Sequence, residues 1–140
     1  MRHKISSADR NFLAAFESCE LSTANFHHRE HLRLAYILLV QLSLNDAQSK
    51  LKKDLLQFLE FNGINNTKYH ETLTWAWLLA VRHFMCKSEP MQDSELFMKD
   101  NQILLDKEIM YTHYTHKLIN SELARKTVLE ADLEPIPLYE

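Results

Sequence analysis

The chain has 140 residues, of which 46% are apolar and 25% charged, with a formal net charge of −3. That is the length of one domain, able to bury roughly 70% of the surface its unfolded form exposes, so a core can form without disulfide or metal staples. The acidic balance argues against a binder of phosphate backbones, which needs a lysine and arginine surplus, and one glycine with three prolines supplies too few turn residues for a sheet protein.

The expected fold is therefore all-α: a single-domain helical bundle over 1–140 with about five to seven helices, a central buried helix and an extended C-terminal tail. Residues 1–6 are expected to be flexible. Ser6 and Ser7 are candidate caps for a first helix over about 8–19, with Phe12, Leu13 and Phe16 at helical spacing. The polar stretch 21–25 breaks that pattern, and Asn25 is a candidate cap for a second helix over about 26–42.

Asn45 and Asp46 open a third helix with Leu51, Leu55, Leu56, Phe58 and Leu59 on its apolar face, and Asn62-Gly63 is a C-terminal stop signal. Lys50, Lys52 and Lys53 are followed at once by Asp54, the pattern of a solvated face. A fourth helix over about 68–86 is apolar nearly all round from Leu73 to Val81, which makes it the expected central helix. Trp75 and Trp77 within it read as core.

Shorter helices are expected over 92–99, over 101 to about 114, and from Glu122 to about 129 after a Ser121 cap. Pro135 and Pro137 keep the tail, 132–140, extended.

Cys19 and Cys86 fall in no paired pattern and read as buried apolar residues in a reducing compartment. The N-terminal residues lack an apolar signal core, and the most apolar stretch, 32–44, is shorter than a membrane span and contains Arg33 and Gln41. The expected location is the cytoplasm, with neither membrane nor nucleic acid as partner.

The chemical signal lies in the eight histidines. His28 and His31 head a row continuing through Ala35, Leu38 and Leu42, and His70 heads another through Leu73, Trp77, Val81 and Phe84. Both rows are core-facing stripes, so three imidazoles point inward from first helical turns. They converge if the two helices cross near their starts and lie apart if the helices run antiparallel.

Convergent neutral imidazoles suit one divalent transition metal such as Zn, Fe or Mn. His28, His31 and His70 are the candidate ligands. Glu71 is a further ligand or general base, though it points about 100° round the helix from His70. Asp106 and Glu108 are later carboxylate candidates, and Glu30, Tyr111 and Tyr114 could fix the histidine tautomers from behind.

A metal-activated water acting on a small-molecule substrate is the plainest enzymatic reading of such a centre. The alternative is a non-catalytic protein-interaction module whose histidines bond carbonyls and hold helices together. His113 and His116, interleaved with threonines, read as a polar surface segment, and His27 as solvent-facing. Phosphate loops and a nucleophile elbow are absent from the sequence.

Three segments, FHHREHLRLAY at 26–36, KYHETLTWAW at 68–77, and SELAR at 121–125 with DLEPIP at 132–137, together resemble a widespread group of small uncharacterised bacterial proteins. The patterns of that group are FxHxxHLRLAW, KYHET and SxxAR…PDLxPLP. The resemblance spans most of the chain, implies a helical single domain, and singles out His28, His31, His70 and Glu71 without supplying an activity. Tyr36 stands where the pattern has Trp, and Ala131 where it has Pro.

A looser resemblance is to HD-domain phosphohydrolases, through the order His31, His70-Glu71, Asp106. That analogy implies a metal-dependent hydrolase and departs from its pattern in having Glu71 for Asp.

Overall fold

The computed structural model describes residues 2–138. Helices hold 67% of them, and no strand occurs among the described residues. Seven α-helices follow in order: α1 (Ser7–Glu17), α2 (His28–Gln41), α3 (Leu44–Phe61), α4 (Glu71–Lys87), α5 (Ser94–Asp100), α6 (His116–Ile119) and α7 (Glu122–Lys126). Short 3-10 turns cover Thr23–Asn25, Asn66–Lys68, Gln102–Leu105 and Lys107–Thr112. No helix among the described residues is long and apolar enough to cross a membrane.

The ends of the helices are written in their caps. Ser6 Oγ accepts the Asp9 amide at 3.1 Å while the Asp9 carboxylate accepts the Ser6 amide at 3.2 Å, a reciprocal box that fixes the start of α1. Asn25 sits inside a 3-10 turn instead of capping α2; the helix begins three residues later, with the Glu30 carboxylate on the His27 amide at 2.8 Å. Ser43, two residues ahead of the expected start, caps α3 through the Asp46 amide at 3.2 Å. Gly63 ends that helix with φ +67°, in the left-handed region that its missing Cβ makes cheap.

The central helix is α2, not α4 as the apolar run at 73–81 suggests. Leu32 and every residue from Leu34 to Leu38 are buried, and α2 packs against α1, α3, α4 and α5. In α4, Trp75, Trp77 and Leu79 stay half-buried. On another side it packs against α7 and the segment after it, where Thr72 Oγ1 donates to the Thr127 carbonyl at 2.6 Å and accepts the Leu129 amide at 3.1 Å.

A buried ionic joint, unmarked in the apolar periodicity, ties the far side together. Asp9, fully buried, accepts Arg33 Nε at 3.1 Å, the Ser94 amide at 2.9 Å and the Ser94 hydroxyl at 2.5 Å. Burial alone would raise its pKa; the hydrogen bonds from Ser94, Ser6 and Arg33 outweigh that and hold it below the usual value. One carboxylate thus joins the starts of α1 and α5 to the middle of α2.

The expected flexible segment 1–6 is tied down from its third residue. His3 accepts the Met91 amide at 3.1 Å and bonds the Met85 carbonyl at 2.7 Å, and the Lys4 amide donates to Met91 at 2.8 Å. Met1 lies outside the described residues.

The helix expected over 101–114 is instead two 3-10 turns. Asn101 turns its side chain back onto the Phe97 carbonyl at 2.9 Å, and Asp106 caps the second turn through the Glu108 amide at 2.9 Å. The tail is non-helical through Leu138 and crosses the second turn, with the Leu133 amide on the His113 carbonyl at 2.9 Å and Ile136 buried. Tyr139 and Glu140 lie outside the described residues. Cys19 is buried, but Cys86 is exposed near the end of α4, where its expected burial does not occur.

Candidate functional site

The starts of α2 and α4 do meet. Between them and the middle of α3 lies a pocket of about 660 Å³, and His28, His31 and His70 all line it. Its walls are mainly apolar: Phe26 and Ala35 from the α2 side, Leu51, Leu55 and Phe58 from α3, and Leu73, Trp77 and Leu78 from α4. This size and composition are those of a small-molecule site. The sequence reading has the three imidazoles in a polar core pocket; the structure sets them in the wall of an apolar one that opens to solvent.

The three histidines are not equivalent. His70 is the N-cap of α4. Its Nδ1 accepts the Leu73 amide at 3.0 Å and its Nε2–H donates to the Ile119 carbonyl at 2.7 Å. Both nitrogens are occupied and the neutral tautomer is fixed. Burial pushes its pKa down, the Ile119 carbonyl opposes this, and Arg125 adds to the lowering.

His28 donates Nε2–H to the Leu104 carbonyl at 2.9 Å, which leaves Nδ1 with its lone pair. Its ring meets the Trp77 ring edge-on, with centroids 4.5 Å apart. Burial lowers its pKa, the Leu104 carbonyl and Asp106 oppose, and Lys107 lowers it further.

His31 leans on Phe26 with ring centroids 4.3 Å apart, and neither of its nitrogens has a hydrogen-bond partner among the described residues. The ring is solvent-exposed across the mouth of the cavity, with Phe26 packed against its other side. The protein packed around it lowers its pKa, and His28 and Lys107 repel the proton as well.

Glu71 does not line the pocket. The turn that carries it away from His70 brings its Oε1 to Lys52 Nζ at 3.0 Å, while Oε2 and the Tyr69 hydroxyl are buried without a hydrogen bond of good geometry among the described residues. Burial and the adjacent Glu71 carboxylate, as hydrogen-bond acceptor and as charge, push the Tyr69 pKa up against a smaller lowering by Thr74.

The other anticipated helpers are engaged elsewhere. Asp106 caps its turn, Glu108 is exposed, Glu30 holds the His27 amide, Tyr114 donates to the Leu129 carbonyl at 2.9 Å, and Tyr111 stacks on His116 at 3.6 Å. Carbonyls of Leu104 and Ile119 orient the histidines instead. Among the described residues, no group of three or more His, Cys, Asp and Glu side chains is placed to hold a metal ion.

Two pocket residues escaped the sequence reading. Lys68 and Lys107 both line the cavity, and among the described residues neither is paired with a carboxylate. No sequence periodicity marks them, because both sit in 3-10 turns. Apart from the phenol of Tyr69, the ionisable side chains of the lining are all bases: Lys68, Lys107 and the histidines 27, 28, 31 and 70. No protein-family model matches the chain, and comparisons with curated proteins and with solved structures give no match.

Proposed function

We propose that this domain binds a small organic molecule in the pocket between α2, α3 and α4. The observation that carries this reading is His31. It is an exposed hydrogen-bonding side chain at the mouth of a 660 Å³ apolar cavity, with both nitrogens unpartnered among the described residues. A polar group left without a protein partner in such a place is the kind of orienting contact that ligand pockets keep among apolar walls.

A metal centre on His28, His31 and His70 remains a second reading, favoured by the free Nδ1 of His28 and the free nitrogens of His31, one helical turn apart. It demands more, since His70 must give up either the Leu73 amide or the Ile119 carbonyl to reach an ion. Metal analysis of the purified protein and of His70→Ala separates the readings: stoichiometric metal that depends on His70 favours the centre.

The pocket itself is tested with N-phenylnaphthylamine, a neutral dye that brightens in apolar surroundings. The protein should enhance its emission, and Leu73→Trp, which fills the cavity from α4, should abolish the enhancement with the far-ultraviolet circular dichroism unchanged. No enhancement by the parent protein, or equal enhancement by a folded Leu73→Trp, overturns the reading.

A further inference from the structure

We infer that the pocket selects an organic anion: a molecule with an apolar, ring-sized body and a single carboxylate-like group held between His31 and Lys107. This rests on the reading of the pocket as a ligand site and names the class of ligand.

The body has its place among Phe26, Phe58 and Trp77, which offer aromatic surface from three different segments around one cavity. The head has its place because the lining is electrostatically one-sided. Lys68, Lys107 and four imidazoles contribute to it, and no aspartate or glutamate among the described residues does. Carboxylates adjacent in sequence to lining residues have other duties: Glu30 holds the His27 amide, Glu71 is bonded to Lys52, and Asp106 caps its own turn. Basic groups gathered around an apolar cavity, with no internal counter-charge, favour an anion over a neutral or cationic ligand of the same body.

Lys107 and His31 are the pair best placed to take the charge. Lys107 lies close enough to lower the pKa of both His28 and His31, so the charge of its ammonium is felt inside the pocket mouth. His31 brings two unpartnered nitrogens to the same space. His70 cannot contribute, with both nitrogens spent, and His28 already commits its N–H to the Leu104 carbonyl.

Of the groups facing His31, His27 and His28 come from the α2 side, Lys68 and Tyr69 from the turn before α4, His70 from the start of α4 and Lys107 from the turn after Asp106; α3 offers only apolar side chains. With those neighbours an empty pocket keeps His31 neutral, and an arriving carboxylate supplies the negative charge that lets it hold a proton.

The test uses three ligands with one body and different heads, naphthaleneacetate, naphthaleneethanol and naphthaleneethylamine, titrated calorimetrically into the full chain. The acetate should bind at least about tenfold more tightly than the alcohol, the usual advantage of a charge-assisted hydrogen bond, and the amine more weakly than either. Lys107→Met, at an exposed turn position, should bring the acetate down to the alcohol. Acetate affinity should rise from about pH 8 to about pH 6, a range in which a carboxylate stays ionised, and His31→Gln should remove that rise.

Equal binding of acetate and alcohol, or preference for the amine, overturns the anion inference and leaves the pocket reading intact. Binding of none of the three, together with no dye enhancement, overturns both.

Discussion

The Nε2–H of His70 donates to the carbonyl of Ile119 at 2.7 Å. The two residues belong to α4 and to the short helix α6, so one imidazole caps one helix and closes the chain end of another. This separates His70 from its partners on α2: it lines the pocket, yet its chemistry is spent on structure. His70→Ala should destabilise the fold by about 2–3 kcal/mol, from a lost N-cap and a carbonyl left without its donor. His70→Asn, which can cap but cannot reach across, should recover about 1 kcal/mol of that in a urea titration. If Asn recovers nothing, the capping role of Nδ1 is wrong.

The buried joint at Asp9 should be the most sensitive point outside the pocket. Asp9→Ala strands the Arg33 guanidinium, which is largely buried, and leaves the Ser94 amide unpaired. Breaking a buried pair from one side costs about 3–5 kcal/mol. The double variant Asp9→Ala with Arg33→Met should be less destabilised than Asp9→Ala alone, because the unpaired charge is gone. Denaturant midpoints for the pair of variants decide it, and equal midpoints would show that Arg33 is not burdened by the loss.

Gly63 gives a cleaner conformational test. A Cβ at this position would meet nothing within 4 Å, so no steric contact complicates the substitution. Its φ of +67° remains. Gly63→Ala should cost about 1 kcal/mol through left-handed strain alone, and Gly63→Asn less. An unchanged unfolding midpoint for Gly63→Ala would mean that the end of α3 rearranges.

Helix identity was legible because it rests on local signals. The Asn62-Gly63 stop, the Ser121 cap and the prolines at 135 and 137 each act within a few residues, and each shows its effect at the expected place. The histidine rows show the reach of the helical period: it put His28, His31 and His70 on one side of their helices, and the helix crossing brings them to the wall of one cavity, with His31 left exposed at its mouth.

What the period could not give was who bonds whom. The carbonyls of Leu104 and Ile119 that orient two of the rings are 76 and 49 residues away in sequence, and a backbone carbonyl leaves no mark in the residue pattern. Lys107 is in the pocket because a 3-10 turn places it there. Trp77 was read as core from its row, and it does face inward, but what it faces is a cavity. The primacy of α2 over α4 was hidden too, since α2 carries charged residues among its apolar ones. Arg33, the one that enters the interior, is admitted by Asp9, on another helix.

The last prediction concerns the cost of keeping His31 where it is. An imidazole on an apolar wall beside Phe26, without a hydrogen bond, contributes little to the fold at neutral pH. Below that it becomes a liability. In the unfolded chain His31 titrates near the ordinary histidine value of about 6.5; in the fold its pKa is lowered by the protein packed against it and by the charges of His28 and Lys107. Between those values the unfolded state binds a proton that the folded state refuses, so stability falls as the pH drops through this window and is fully retained above it. His28 and His70, whose pKa values are also lowered, act in the same direction. His31→Leu removes one of these groups and offers Phe26 an apolar neighbour. It should therefore be neutral or stabilising at about pH 8, and its advantage over the parent should widen at about pH 5, leaving a shallower but not flat acid limb. Thermal or urea midpoints across that range measure it. A Leu variant that loses stability at both pH values would show that the ring makes a structural contact, and His31 would then join His70 as a histidine used for the fold instead of standing open for a ligand.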